Sequence, residues 1–216
     1  MVHEFSGTLG EIVDSGVIAV MRGADPDTVV DVANALIAGG VTALELTADS
    51  DHVLQNVRAV RESVADDAIV GVGTVYDDRT TRDVIDAGAS FVVSPTVEQD
   101  VVEASTKRGV VAIPGAFTPT EVITAARLGA DAVKVFPAAS AGPRHLSHIA
   151  GPLPDIPLIP TGGVTLETTT AYIEAGAIAV GIGGSLLDQT LLAARDFDAI
   201  AERAEAFVGA VDEGRM

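Results

Sequence analysis

Cysteine is absent from the 216-residue chain, and lysine is nearly so. Without cysteine there can be no disulfide, no thiolate nucleophile and no cysteine-bound zinc. Only two of the 13 basic residues are lysines, Lys107 and Lys134. No stretch reaches the roughly 18 uninterrupted apolar residues of a membrane span. Residues 1–16 have no basic region and no apolar run, which argues against a secretory signal, so we expect a cytoplasmic protein.

Acidic side chains dominate the charge, with 31 Asp and Glu against 13 Lys and Arg and a net charge of −18. A chain this acidic repels nucleic acids and anionic membrane surfaces, so we expect neither as a partner. High acidity with almost no lysine is typical of a protein from a salt-rich cytoplasm, where screening shortens the range of surface repulsion. An acidic protein of a mesophile is the alternative interpretation.

Eight apolar runs rich in Val and Ile alternate with helical patterns along the chain. They cover residues 17–22, 43–48, 69–75, 91–96, 110–116, 131–138, 157–164 and 179–185. Strict alternation predicts a parallel sheet, and continuous apolar strands predict one covered on both faces. Eight units in this length favour a closed (β/α)8 TIM barrel over an open sheet. No linker or composition shift divides the chain, so we predict one α/β domain over residues 1–216.

Glycine and proline mark several helix boundaries. We expect a short N-terminal helix at about 8–15 and a barrel over 17–210. The first barrel helix should begin at Pro26-Asp27 and end at Gly39-Gly40. Thr118-Pro-Thr-Glu121 has the pattern of a helix start with an acid in the first turn. The last helix is predicted as one long amphipathic element, roughly 190–210.

Lys134 stands inside the sixth apolar run, in Ala-Val-Lys-Val-Phe. Burial disfavours the ammonium form, and a neutral amine is a nucleophile that condenses with a ketone to give an iminium. Alternatively, the side chain could reach out between helices or pair with a buried acid. A chain that has discarded almost every other lysine favours the functional interpretation. Lys107, beside Arg108 at a helix end, is interpreted as a solvated cap charge.

Glu45 is an acid inside the second apolar run, and Thr47 shares its face of the strand. A carboxylate in the barrel near an iminium can move protons. A structural ion pair with Lys134 or Arg22 is the alternative, and the two interpretations can coexist. Because barrel active sites lie at the C-terminal ends of the strands, residues such as Arg22 and Thr74 at other strand ends become candidates as well.

Glycines follow the seventh and eighth runs, as Thr161-Gly-Gly163 and Gly183-Gly-Ser185. Barrels often bind phosphate with the backbone N–H groups of these two loops, so the pair predicts a phosphorylated ligand. The histidines are His3, His52, His145 and His148, and their spacing matches no metal motif. We therefore expect no metal site, which argues against the metal-dependent sugar-phosphate epimerases of this fold.

A family resemblance now emerges from motifs that cover nearly the whole chain in order. They lie at residues 20–23, 44–47, 70–75, 93–95, 113–115, 118–121, 133–138, 160–164 and 181–185. The chain resembles the 2-keto-3-deoxy-6-phosphogluconate (KDPG) aldolases and the similar 4-hydroxy-2-oxoglutarate (KHG) and 2-keto-3-deoxy-6-phosphogalactonate aldolases. The resemblance implies a class I aldolase of Entner–Doudoroff-type sugar breakdown that needs no cofactor, commonly a homotrimer, acting on a phosphorylated 2-keto-3-deoxy sugar acid.

The resemblance also implies residue roles. Lys134 would be the Schiff-base lysine and Glu45 the general acid/base, acting partly through a water. Thr74 would contact the pyruvoyl carboxylate, and Thr161 would lie beside the substrate. The remaining predicted substrate-binding residues are Arg22, Thr47, Pro95 and Phe136. The predicted phosphate-binding residues are Gly162, Gly163, Gly184 and Ser185.

Asp49 departs from the family pattern. In many relatives an arginine soon after the second strand helps to hold the substrate carboxylate. Here the chain reads Ala48-Asp49-Ser50 at that place. An aspartate cannot hold a carboxylate, so we assign that task to Arg22 with Thr74. The choice among gluconate, galactonate and 4-hydroxy-2-oxoglutarate substrates stays open. An isomerase without a Schiff base and a non-catalytic sugar-phosphate-binding barrel are the rival functions.

The charge pattern generates a prediction about salt. Because 31 acidic side chains repel one another once screening is removed, we expect the fold to loosen as salt falls from molar to millimolar concentration. Circular dichroism and thermal melting across that range measure it. Unchanged spectra and melting temperatures would leave the mesophilic interpretation.

Overall fold

The computed structural model describes residues 5–216. Residues 1–4, including His3, lie outside the described residues. The strands are β1 Val17–Met21, β2 Ala43–Thr47, β3 Ile69–Gly73, β4 Phe91–Val93, β5 Val111–Ile113, β6 Gly115–Ala116, β7 Val133–Val135, β8 Leu158–Pro160 and β9 Val180–Ile182. The helices are α1 Gly7–Ser15, α2 Val29–Ala38, α3 Val53–Val64, α4 Asp78–Asp86, α5 Gln99–Lys107, α6 Pro119–Arg127, α7 Gly142–Ala150, α8 Leu166–Glu174, α9 Gln189–Ala194 and α10 Phe197–Arg215, with a 3-10 turn at Ala138–Ser140.

All strand pairs are parallel, and they form two sheets that together close a barrel. Six strands run in the order β5-β4-β3-β2-β1-β9, and three in the order β6-β7-β8. Pro114 separates β5 from β6 because its nitrogen has no hydrogen to donate to the ladder. β5 pairs with β4 and β6 with β7, so the two segments form one bent barrel strand. A bridge between Thr161 and Gly181 joins β8 to β9 on the other side. The predicted (β/α)8 barrel is confirmed.

One end of the barrel is closed. Inside it, Ile18, Ile69 and Phe91 form an apolar cluster with Ile12 of α1, which is fully buried. Because Ile18 and Ile69 lie at the starts of their strands, α1 covers the N-terminal end. A larger apolar cluster fills the layer between the strands and the surrounding helices. The open end is therefore the one at which the strands finish.

Most predicted helix ends are confirmed, and one start is shifted. α2 ends at Ala38, and Gly40 follows with φ 86°, a conformation that glycine adopts readily. α6 begins with a capping box, in which Glu121 accepts from Thr118 N at 2.7 Å and donates its own N–H to the Thr118 hydroxyl at 3.4 Å. α2 begins at Val29, after Pro26-Asp27, because Asp25 O accepts from Val29 N at 2.8 Å and a turn precedes the helix.

The prediction of a single last helix over 190–210 is wrong. The segment forms α9 and α10, separated at Arg195, which has φ 54° and so leaves the right-handed helix. Asp196 then caps α10, since its side chain accepts from Ala199 N at 3.1 Å. Within residues 5–216, no helix is long and apolar enough to cross a membrane.

Gly39 lies where α2 meets α10, and it yields a prediction about packing. A Cβ at Gly39 would overlap Ala201 O and approach Ala204 Cβ to 2.5 Å, although its φ of −85° suits alanine. We expect Gly39→Ala to lower the free energy of unfolding by about 1–3 kcal/mol, the usual cost of overpacking. Urea denaturation at constant salt measures it.

Gly209 provides the matched control, because it lies inside α10 and a Cβ there meets nothing within 4 Å. Gly209→Ala should raise stability by up to about 1 kcal/mol through helix propensity. A neutral or stabilising Gly39→Ala would contradict the packing argument.

Candidate active site

Two opposite charges lie near the open end of the barrel. Glu45 in β2 and Lys134 in β7 are 2% and 7% exposed, as expected for residues within strands. Thr47 and Thr161 are buried with them. Lys134 Nζ lies 5.2 Å from the centroid of the Phe136 ring, within the range of a cation–π contact. The structure thus brings the predicted nucleophile and the predicted acid/base into one apolar interior.

The electrostatics of Glu45 are dominated by its burial. Burial raises the pKa of Glu45 above its usual 4.5, and the positive charges of Lys134 and Arg22 oppose that rise. Within the described residues no hydrogen bond or ion pair joins Glu45 to Lys134, so their N and O atoms are more than 4.0 Å apart. A direct structural ion pair is therefore not formed.

Arg22 and Thr74, which we expected to act together, are in contact. Arg22 follows β1, forms an ion pair with Asp49 and donates to the Thr74 hydroxyl at 3.4 Å. Asp49 therefore contributes by holding the guanidinium beside Thr74. Thr74 has φ 62°, which is rare for a β-branched residue and typical of functional positions. These contacts tie together the ends of β1, β2 and β3.

Asp49 as the partner of Arg22 was missed in the sequence. The available signal was that Arg22 follows β1 and Asp49 follows β2, two strands that become neighbours in a parallel barrel. Ser50 was missed too, and it links the same loops: its hydroxyl accepts from Gly23 N and lies within hydrogen-bond distance of the Thr47 hydroxyl, both at 3.0 Å.

The two glycine loops present free N–H groups. Gly162 and Gly163 have φ 91° and 78°, a backbone that favours glycine. Within residues 5–216, the N–H groups of Gly162, Gly163, Gly184 and Ser185 donate to no protein group. The loops follow adjacent strands, β8 and β9. All four predicted phosphate-binding residues therefore keep an N–H donor without a protein acceptor in the described part of the chain.

Pro95 and Phe136 line a cavity of about 380 Å³. The cavity also contains Phe117, whose ring stacks on His145 at 4.7 Å. A second cavity, of about 430 Å³, lies outside the barrel between β1, α2 and α9, and includes Arg22 but neither Lys134 nor Glu45. We place the site inside the barrel because the predicted nucleophile and the predicted acid/base lie there. Within the described chain, no group of three or more His, Asp or Glu side chains could hold a metal ion.

Comparisons with known proteins agree with this geometry. A family model described as KDPG and KHG aldolase matches residues 11–203. The 2-dehydro-3-deoxy-6-phosphogalactonate aldolase of Escherichia coli K12 is 32% identical over 197 residues, 91% of this chain and 94% of its own. The 2-dehydro-3-deoxy-phosphogluconate aldolase of Dickeya dadantii is 36% identical over 206 residues, 94% and 93% of the two chains. The solved KDPG aldolase of Legionella pneumophila, with pyruvate captured as a covalent carbinolamine, superposes with TM-score 0.86 at 28% identity, covering 92% of this chain and 96% of that one.

Burial of Glu45 generates a prediction about pH. Since the pKa of Glu45 is raised in the folded state, its contribution to stability is fully present below the unfolded value and is lost as pH rises through the folded value. We expect Glu45→Gln to gain stability relative to the parent as pH rises from about 4 to about 8. The gain should be about 1.4 kcal/mol for each pH unit that separates the folded pKa from the unfolded one. Urea unfolding at fixed salt measures the difference, and a difference that stays constant with pH would contradict the assignment.

Proposed function

Because the chain belongs to the family of KDPG and KHG aldolases, we propose that it is a class I aldolase that cleaves 2-keto-3-deoxy-6-phosphogluconate to pyruvate and glyceraldehyde 3-phosphate. One observation carries the proposal: a buried Lys134 shares the barrel interior with a buried Glu45 without direct pairing. The Legionella relative, in which pyruvate was captured as a covalent carbinolamine, supports chemistry through an amine.

The reaction begins at Lys134. Its neutral amine attacks the carbon-2 ketone, and loss of water gives an iminium. Glu45 takes the proton of the carbon-4 hydroxyl, the bond between carbon 3 and carbon 4 breaks, and its electron pair neutralises the iminium to give an enamine. Glyceraldehyde 3-phosphate leaves. Glu45, directly or through a water, returns a proton to carbon 3, and hydrolysis frees pyruvate and Lys134.

The raised pKa of Glu45 suits both halves of this cycle. Burial raises the pKa of Glu45 above its usual 4.5, which favours the protonated form that delivers a proton. The positive charges of Lys134 and Arg22 oppose that rise and so favour the carboxylate form, which accepts the next proton.

Substrate binding is divided among three groups of residues. Arg22 and Thr74 hold the carboxylate, with Asp49 orienting the guanidinium. The residues lining the carbon chain are Thr47, Pro95, Phe136 and Thr161. The phosphate accepts from the N–H groups of Gly162, Gly163, Gly184 and Ser185, which have no other partner in the described chain.

A second candidate is a 2-keto-3-deoxy-6-phosphogalactonate or 4-hydroxy-2-oxoglutarate aldolase. Asp49 supports this second candidate, because many relatives have an arginine at the place where this chain has Asp49, so the carboxylate site differs. The Escherichia coli relative named for the phosphogalactonate compound is similar over most of the chain. Comparison of kcat/KM for the three keto acids separates the candidates, and we propose the phosphogluconate compound as the preferred one.

We further propose that residues 1–216 form one domain, that the protein works as a homotrimer in a salt-rich cytoplasm, and that it uses no cofactor. The excess of 31 acidic over 13 basic residues supports the saline setting. The resemblance to the family supports the trimer.

The first experiment is a covalent trap. In high salt, pyruvate followed by borohydride should leave a reduced pyruvyl adduct that peptide mass mapping assigns to Lys134. Lys134→Ala should lose both the adduct and turnover, whereas Lys107→Ala removes the other lysine of the chain and should keep both. Glu45→Gln should form the adduct but turn over at least ~10²-fold more slowly.

Each alternative predicts a different result. If folded protein forms no adduct but turns over phosphorylated sugars, it is an isomerase without a Schiff base. If it binds a sugar phosphate with neither adduct nor turnover, it is a non-catalytic barrel. Normal turnover in Lys134→Ala would remove the proposed nucleophile.

A further inference from the structure

Two inward-facing positions of β3, toward the open end of the barrel, are both glycines. Gly71 and Gly73 alternate with outward-facing Val70 and Val72, which pack in the layer below the helices. A Cβ on Gly71 would collide with the ring of Phe91 from β4. A Cβ on Gly73 would collide with Oε1 of Glu45 from β2. Each glycine therefore makes room for a side chain of a neighbouring strand.

The Glu45 carboxylate depends on that room because nothing else fixes it in place. Within residues 5–216, Glu45 makes no hydrogen bond and no direct ion pair. The charges of Lys134 and Arg22 act on it only from a distance. Without directional bonds, its position is decided by the surrounding atoms, and the empty Cβ position of Gly73 is the space that it occupies.

The pairing register explains why the contact falls at Gly73. Glu45 lies directly opposite Gly71, and Thr47 lies opposite Gly73. The Glu45 side chain thus leans along the barrel by one inward-facing position, away from the Phe91 ring and toward the open end. Phe91 is fully buried and occupies the space beside Gly71, so the carboxylate cannot lie closer to the closed end of the barrel.

We propose that Gly73 is a positioning residue of the reaction: its missing side chain seats the Glu45 carboxylate at the height from which it exchanges protons with the Lys134-bound substrate. The inference rests on the proposed role of Glu45. Gly181 of β9 shows the same device, since a Cβ there would collide with the hydroxyl of Thr161, another predicted site residue.

Exchange of the pyruvate methyl protons with deuterated water, followed by NMR, tests the proposal. It reports proton transfer at the enamine, whereas the borohydride adduct reports the Schiff base alone. Gly73→Ala should still form the adduct on Lys134 but exchange about 10- to 100-fold more slowly, because small misplacements of a catalytic group have effects of this size. Gly71→Ala, the same change two residues away, displaces the Phe91 ring and not the carboxylate itself, so it should slow exchange less than Gly73→Ala does.

A second pair of variants covers the case in which Gly71→Ala does not fold. Glu45→Asp shortens the acid by one methylene and should slow exchange in the parent. In the Gly73→Ala background the shorter acid relieves the collision, so the same change should speed exchange. This reversal of sign is a coupling that general destabilisation does not produce.

Three results would overturn the inference. The first is parental exchange in Gly73→Ala. The second is an equal loss in a folded Gly71→Ala. The third is slower exchange on adding Glu45→Asp to Gly73→Ala. Failure of the proposed function has its own signature, because Glu45→Gln would then exchange at the parental rate or Lys134 would form no adduct.

Discussion

Burying a lysine and a glutamate in one apolar barrel is the constraint on which the rest of the site depends. Transferring either charge alone from water into such a place costs much free energy. The two together are tolerated only when their mutual attraction offsets part of that cost. Here the cost remains visible in the raised pKa of Glu45, which the charges of Lys134 and Arg22 only partly offset. α1 closes the opposite end of the barrel. Both groups can therefore meet a reactant only where the strands finish.

Much of the fold could be predicted because its signals are periodic. Eight apolar runs separated by helical patterns are compatible with few folds. Glycines such as Gly40 end helices because a single glycine readily adopts the positive φ that follows the last turn. The failures lie where one backbone torsion decides. Arg195 interrupts the predicted last helix by adopting φ 54°. An arginine side chain does not favour this conformation, so the sequence does not indicate the break. The run predicted at 110–116 is one barrel strand in two segments, β5 and β6, which pair with different neighbours on either side of Pro114.

The site was predictable to the extent that a residue stands out in its own segment. Lys134 and Glu45 are charges within apolar strands, and Arg22 and Thr74 are polar residues at strand ends, so all four are visible one strand at a time. Asp49 acquires its role only through Arg22 on the adjacent strand. Gly73 acquires its role only through a side chain from β2. Pairwise roles of this kind require the register between strands, which composition and periodicity do not contain.

The two groups at the centre of the site belong to different sheets. Glu45 is in the six-stranded sheet and Lys134 in the three-stranded one. The sheets meet along the bent strand at Pro114 on one side, and on the other at the bridge between Thr161 and Gly181 and the hydrogen bond from Ile178 N to Leu158 O. The separation of acid and amine is thus set by two joints rather than by a continuous ladder. The glycine loops after β8 and β9 lie on either side of the second joint. A phosphate bound to both loops would link the two sheets at this joint. Binding the substrate would then also fix the distance between Glu45 and Lys134.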